Sequence, residues 1–443
     1  MHPEPKALLK EALQKCLPAL QTEVDKYEIP CQVWTKKGDG RWEGKYVLRP
    51  DLMRYFVDAE EQLHLAGQNF GESFLKYHPD YNGMVGSPIF GLFNFGQDIT
   101  SIFRSAIAHL WNVNGKSKID DTAIDSLVNE FELFIDKPTF RVIYRSQLLN
   151  FKSTGNSIEL PQGLRIRRMT DSEMSGIYGG SNYSPGIKRS STKGMHEYCI
   201  EGEIDEPKVL GQLNGNEQLT ELSVKTLLDK AILSLRTFKG GCVGYDCIHY
   251  FTPNFCPLFS LPSHFYRDKY VPMGTYTLDA EEFEMLVEHS LMIFDGLDPS
   301  IEMACSRLAD SEIRIMPRDQ LVDAVIGMES ILLAGLGKED RKGELKFRFS
   351  LNYSTLFGTP EARHLAFRVA KDLYDLRSAI AHGSVIGDGK NRVGDENLLL
   401  TEAANRASES LRYLIRYFLP QKIKKPYKNH SFWERAYFGF ADA

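Results

Sequence analysis

The chain has 443 residues, 42% of them hydrophobic and 25% charged, with a formal net charge of −6 at pH 7. That length exceeds one ordinary core and predicts two or three domains, and the composition is that of a soluble globular chain with little room for a long disordered arm. The slightly acidic balance excludes bulk electrostatic attraction to nucleic acid, so any RNA contact must come from a local patch or a few phosphates.

In chain order, the pattern predicts a multidomain, mainly α protein. Residues 1–137 read as a helical N-terminal region. ALLKEALQKCLPAL carries apolar residues at helical spacing, and DLMRYFVDAEEQLHLAGQNF continues in the same style. The Gly- and Pro-bearing stretch from Tyr77 to Pro88 breaks it, and helices resume over 95–111 and 121–134, the second opening on N-capping acids. KGDGRWEGK lacks the Walker lysine–hydroxyl pattern and reads as a hairpin turn. The N-terminus has no apolar core of signal-peptide length, and no stretch approaches membrane-spanning length, so a cytoplasmic protein without membrane association is expected.

Residues 138–280 read as an α+β module: short β-rich runs punctuated by Gly and Pro, with one amphipathic helix, ELSVKTLLDKAILSLRTF, stopping at Gly240 and Gly241. Residues 281–443 return to helix. AEEFEMLVEHSLMIF and PSIEMACSRLADS precede four stronger helices, RDQLVDAVIGMESILLAG, GELKFRFSLNYSTLF, PEARHLAFRVAKDLYDLRSAIAH and ENLLLTEAANRASESLRYLIRYFL. Short joins between them make an antiparallel bundle the economical packing.

The seven cysteines are an odd, scattered set, as in a reducing cytoplasm. Cys242, Cys247, His249 and Cys256 lack the close Cys-x-x-Cys pair of structural zinc sites and read as buried thiols, so no metal and no cofactor is expected. Ser184, Ser190 and Ser191 have no nearby histidine–acid arrangement.

DLYDLRSAIAHG carries the chemistry. Leu373, Leu376 and Ile380 can face a bundle core, whereas Tyr374, Ser378 and His382 form a second row at spacing four, about 40° per step on the helical wheel. Arg377 lies beside that row, and Gly383 is a natural helix stop. An imidazole titrates near neutral pH and can act as acid or base, while a guanidinium can hold two phosphate oxygens. These groups suit metal-independent RNA cleavage, in which the 2′-hydroxyl attacks the adjacent phosphate. The bland alternative is an arginine bridging to an acid and a histidine capping a helix.

The last part of the chain, about residues 315–420, resembles the Apea-type branch of the HEPN superfamily. The resemblance rests on GMESILLAG with Glu329, on GELKFRFSLNYSTLFG with Glu344 and Arg348 in a Glu-Leu-x-x-Arg helix, and on LYDLRSAIAHG, close to a Tyr-Asp-x-Arg-Ser-x-x-x-His-Gly signature. It implies a HEPN-type helical bundle and an endoribonuclease used in phage defence or as a regulated toxin. It also implies Arg377 and His382 as catalytic pair with Ser378 as helper, and Tyr374, Asp375 and Glu329 as supporting residues. The acids would act as partners for arginine. Implied partners are an RNA substrate, a second copy joined through the motif helices, and a phage-derived trigger or regulatory partner. The alternative is a non-catalytic HEPN scaffold that binds nucleic acid or a partner protein.

Arg104 to His109 reads RSAIAH, as does Arg377 to His382. The flanks differ. This copy is a second candidate catalytic pair, which would make the chain an internal pseudo-dimer; the alternative is ordinary helix filler. Arg165, Arg167 and Arg168 read as a strand face paired with acids, or as an RNA-backbone contact. Lys422, Lys424, Lys425 and Lys428 with Tyr427 and Trp433 fit a single-strand binder or a tail packed back on the bundle.

Overall fold

The computed structural model describes residues 1–23, 28–37, 42–50, 56, 60–87, 91–94, 99–114, 119–170, 173–174, 196–210, 219–257, 274–336, 344–383 and 390–438. It is mostly helical with a central sheet of antiparallel strands. The chain divides into two compact units, Met1–Gln147 with Gly163–Thr226 and Asp246–Tyr266, and Leu148–Gln162 with Leu227–Tyr245 and Arg267–Ala443. Among the described residues no helix is long and apolar enough to cross a membrane. Ser184, Ser190 and Ser191 lie outside the described residues.

The first unit opens with α1 (Pro3–Glu23), then a hairpin of β1 (Glu28–Lys36) and β2 (Trp42–Pro50). Lys36 stands opposite Trp42, and residues 38–41 of the turn expected from KGDGRWEGK lie outside the described residues. The two strands correct the all-helical expectation for this stretch: EIPCQVWTK and WEGKYVLRP are rich in β-branched and aromatic residues. Next come α2 (Glu60–Tyr77), β3 (Met84–Ser87), β4 (Gly91–Asn94), α3 (Ile99–Asn114) and α4 (Asp121–Asp136). Asp120 caps α4 by accepting from the Ala123 N–H at 2.9 Å. Leu9, Leu13, Phe70, Phe74, Ile107 and Phe131 are buried in this unit, with the Phe74 and Phe131 rings stacked at 5.6 Å.

Its sheet is built on β5 (Thr139–Leu149). β6 (Phe151–Ser153) and β7 (Ser157–Glu159) follow it in the chain, then β8 (Arg165–Arg168), β9 (Tyr198–Pro207), β10 (Val209–Leu210) and β11 (Gly244–Phe251). The strand order is β11-β5-β9-β8, and β10 pairs with β3. β5 and β9 are antiparallel with Tyr144 opposite Gly202. A Cβ on Gly202 would meet the Tyr144 hydroxyl, so this strand glycine makes room for a buried ring.

In the second unit β6 runs parallel to β12 (Tyr276–Leu278), and α5 (Leu219–Phe238) enters the unit at Leu227. The bundle follows: α6 (Phe283–Phe294), α7 (Pro299–Glu312), α8 (Pro317–Leu332), α9 (Leu345–Ser354), α10 (Pro360–Ala381), β13 (Asn391–Val393), β14 (Glu396–Leu398), α11 (Leu400–Phe418) and α12 (His430–Phe438). Proline opens α7, α8 and α10, where its missing N–H costs nothing. Asp298 and Thr359 cap α7 and α10 through the N–H groups of Ser300 and Ala362. The run ENLLLTEAANR, expected to be helical throughout, instead gives β14 and then α11.

One core joins these helices, including Leu308, Val325, Met328, Phe349, Leu373, Leu411 and Phe418. Gly327 lets α8 and α11 approach, since a Cβ there would lie 2.5 Å from Leu411 Cδ2. The tail packs back on the bundle. Tyr427 is buried, its hydroxyl donating to Asp298 at 3.1 Å, and the Trp433 indole N–H donates to the Tyr427 carbonyl at 3.0 Å. Lys425 and Lys428 both pair with Asp298, at 3.1 and 2.7 Å, and Lys422 with Asp295 at 3.0 Å.

Candidate active site on the terminal bundle

The helix signals around DLYDLRSAIAHG decide where its side chains stand. Leu373 is fully buried, with Leu376 and Ile380 packed against the same core. α10 ends at Ala381, and its last carbonyls are satisfied locally: the His382 N–H donates to the Ser378 carbonyl and the Gly383 N–H to the Ile380 carbonyl, both at 3.0 Å. Gly383 has φ +73°, the left-handed conformation in which helices commonly terminate and which glycine adopts without strain. His382 is thereby held at the helix end, exposed to solvent.

Arg377 sits one turn earlier, half-buried, with Nη2 donating to Glu329 Oε2 of α8 at 3.1 Å. Its guanidinium lies 6.0 Å from the Tyr374 ring centroid. Arg377 Nε is buried without a hydrogen-bond partner. Burial pushes the Glu329 carboxyl above the ordinary carboxylate range, and the Arg377 charge opposes that rise. Arg377 is therefore positioned by one hydrogen bond from its five-donor fork. Tyr374 is braced by the Phe349 ring of α9 at 5.2 Å, and burial raises its phenol. Ser378 is half-buried.

Glu329 thus partners arginine as the resemblance implied, but Asp375 does not. Asp375 accepts from Lys346 Nζ of α9, at 2.9 and 3.3 Å. Lys346 and Phe349 were not singled out from the sequence, although their spacing of three in GELKFRFSLNYS places them on one helix face. Glu344 and Arg348 belong to a different feature. They line a cavity of about 220 Å³ on the other side of α9, toward α12.

The second copy of the hexapeptide lies in the first unit with a different local setting. α3 continues past His109 to Asn114, so this imidazole is in mid-helix. Its Nε2 lies 3.2 Å from Glu130 Oε2, which also accepts the Phe255 N–H at 2.6 Å, and its ring meets Phe255 edge-on at 5.7 Å. Burial pushes the Glu130 carboxyl up, but the hydrogen bonds from His109 and the Phe255 N–H outweigh it and hold the group below the usual range. Arg104 is half-buried on α3. Arg104 and His109 belong to the first unit, Arg377 and His382 to the second.

The arginine strand resolves toward acid pairing. Glu201 accepts from Arg145, Arg165 and Arg167, and Glu173 from Arg145 and Arg167. Arg168 pairs with Glu197 at 2.5 Å. Of the cysteine cluster, Cys247 and Cys256 are buried, and Cys242 Sγ donates to the Glu312 carbonyl at 3.1 Å. Among the described residues no group of three or more His, Cys, Asp or Glu could hold a metal ion.

No family model matches this chain, and no curated protein or solved structure matches it.

Proposed function

We propose that the chain is a HEPN-type, metal-independent endoribonuclease whose catalytic groups are Arg377 and His382. One observation carries the reading: a single helix presents a solvent-exposed imidazole at its end and, about one turn back, a half-buried arginine that Glu329 engages through one Nη only. In the reaction the 2′-oxygen attacks phosphorus and the bond to the 5′-oxygen breaks. One imidazole removes the 2′ proton and another supplies a proton to the leaving oxygen. The guanidinium neutralises charge on the non-bridging phosphate oxygens. The products are a 2′,3′-cyclic phosphate and a 5′-hydroxyl end. Ser378 assists from the same face.

Two imidazoles imply a second source. The Glu130 contact of His109 favours a second copy's His382 over the Arg104–His109 pair, so the working arrangement is a homodimer through the motif helices. Use in phage defence or as a regulated toxin, with a separate trigger, fits such an enzyme. The test is cleavage of RNA in EDTA by the full chain beside the Arg377→Ala and His382→Ala variants.

The engagement of Arg377 by Glu329 favours a second reading, a non-catalytic HEPN scaffold in which the arginine only braces α8 against α10. Absence of cleavage under every activating condition supports that one.

A further inference from the structure

The cavity between α9, the end of α8 and α12 belongs to none of the groups just discussed. It holds about 220 Å³, below the roughly 300–1,000 Å³ of sites for larger ligands, which suits one planar ring system. Its walls are aromatic. Phe347 and Tyr437 are 52% and 51% exposed. Trp433 forms the floor, fixed by its hydrogen bond to the Tyr427 carbonyl.

The polar groups are few and of definite kind. Arg348 lines the cavity, and no carboxylate pairs with it among the described residues, even though Glu344 is one turn away. Glu434 also lines it, oriented by His430, whose Nδ1 lies 3.1 Å from Glu434 Oε1. A guanidinium and a carboxylate lining one cavity with aromatic rings match the acceptors and donors on two adjacent edges of one nucleobase. Guanine offers O6 and N7 as acceptors for an arginine fork. Its N1–H and N2–H groups point the same way and suit an acceptor-only carboxylate. Adenine, cytosine and uracil each lack one half of this pattern, while stacking on aromatic side chains serves any base.

We propose that this cavity binds a guanine base, Phe347 and Tyr437 stacking on it, Arg348 donating to O6 and N7, and Glu434 accepting from N1–H and N2–H. The base belongs either to a free guanine nucleotide or to a guanine in single-stranded RNA. The inference stands apart from the ribonuclease reading, because none of its residues is a catalytic candidate.

The full-length His382→Ala protein, used so that RNA is not consumed, is titrated with the 5′-monophosphates of guanosine, adenosine, cytidine and uridine while tryptophan fluorescence is read. The guanosine nucleotide is expected to quench saturably and to bind about tenfold or more tightly than the others, the discrimination of one good base-edge contact. Arg348→Ala and Glu434→Gln each weaken it by about tenfold. Trp433→Phe removes the quench while equilibrium dialysis still finds the nucleotide bound. A short RNA with a single guanine that displaces the nucleotide assigns the base to RNA, and failure to displace it assigns a free nucleotide. Equal binding of all four nucleotides, no saturable binding, displacement by guanine-free RNA, or unchanged affinity in both variants overturns the proposal.

Discussion

Arg377 and Glu329 form a one-point ion pair, Nη2 to Oε2 at 3.1 Å, with Arg377 Nε left buried and unsatisfied. A pair of this kind positions a guanidinium without filling its donors. The Nη donors that Glu329 does not take can still donate to a phosphate oxygen.

Replacing Glu329 by Gln should separate positioning from folding. The amide still accepts one hydrogen bond, so stability should fall by only about 1 kcal/mol. RNA cleavage should fall further, by about tenfold, because a 1 Å misplacement of a catalytic group is costly. Single-turnover rates beside thermal melts distinguish the two. Equal cleavage in both proteins would make Glu329 purely structural.

Gly383→Ala tests the helix stop. Among the described residues a Cβ there meets no neighbour, so the change costs backbone strain at φ +73°, about 1–2 kcal/mol. Asn, which tolerates this conformation, should recover most of that loss and the placement of His382. Urea denaturation of the two variants measures the difference.

Gly327→Ala should destabilise the second unit by about 1–3 kcal/mol, since its Cβ would displace Leu411 in a filled core. A midpoint unchanged in urea would show that α8 and α11 can part freely.

Most bundle helices were legible because they have a cap, an initial proline or a clear apolar stripe, and His382 at a helix end followed from Gly383, whereas the helix over His430–Phe438 was not read. The hairpin at Glu28–Pro50 was not, since its turn was read but the runs beside it were taken with their helical neighbours. Asp375 was assigned to arginine because both lie in one motif. Its partner Lys346 comes from α9, and a contact between helices leaves no mark in the spacing of either. The hexapeptide repeat was plain in the sequence, but the difference between its copies comes from Glu130 and Phe255, both outside it.

His289 sets a pH limit on stability. It is buried, and because Thr237 gives its proton to the Leu233 carbonyl, His289 Nε2–H donates to Thr237 Oγ1 at 2.8 Å. Burial, aided by the Arg416 charge, lowers its pKa from 6.5 to about 4. A depressed histidine leaves stability intact above pH 6.5 and removes it as pH falls toward 4. The slope is about 1.4 kcal/mol per pH unit and the total about 3 kcal/mol. Denaturation midpoints from pH 7.5 to 4.5 should show that slope, and His289→Gln should flatten it.

RNA cleavage by Arg377 and His382, as proposed, leaves its record in the ends it forms. The most direct measurement incubates the full chain with single-stranded RNA in EDTA and analyses the ends formed. The unaltered chain should leave 2′,3′-cyclic phosphate and 5′-hydroxyl ends, and both Arg377→Ala and His382→Ala should lose about a hundredfold or more in rate. Undiminished cleavage in either variant, or 3′-hydroxyl and 5′-phosphate ends, would contradict it.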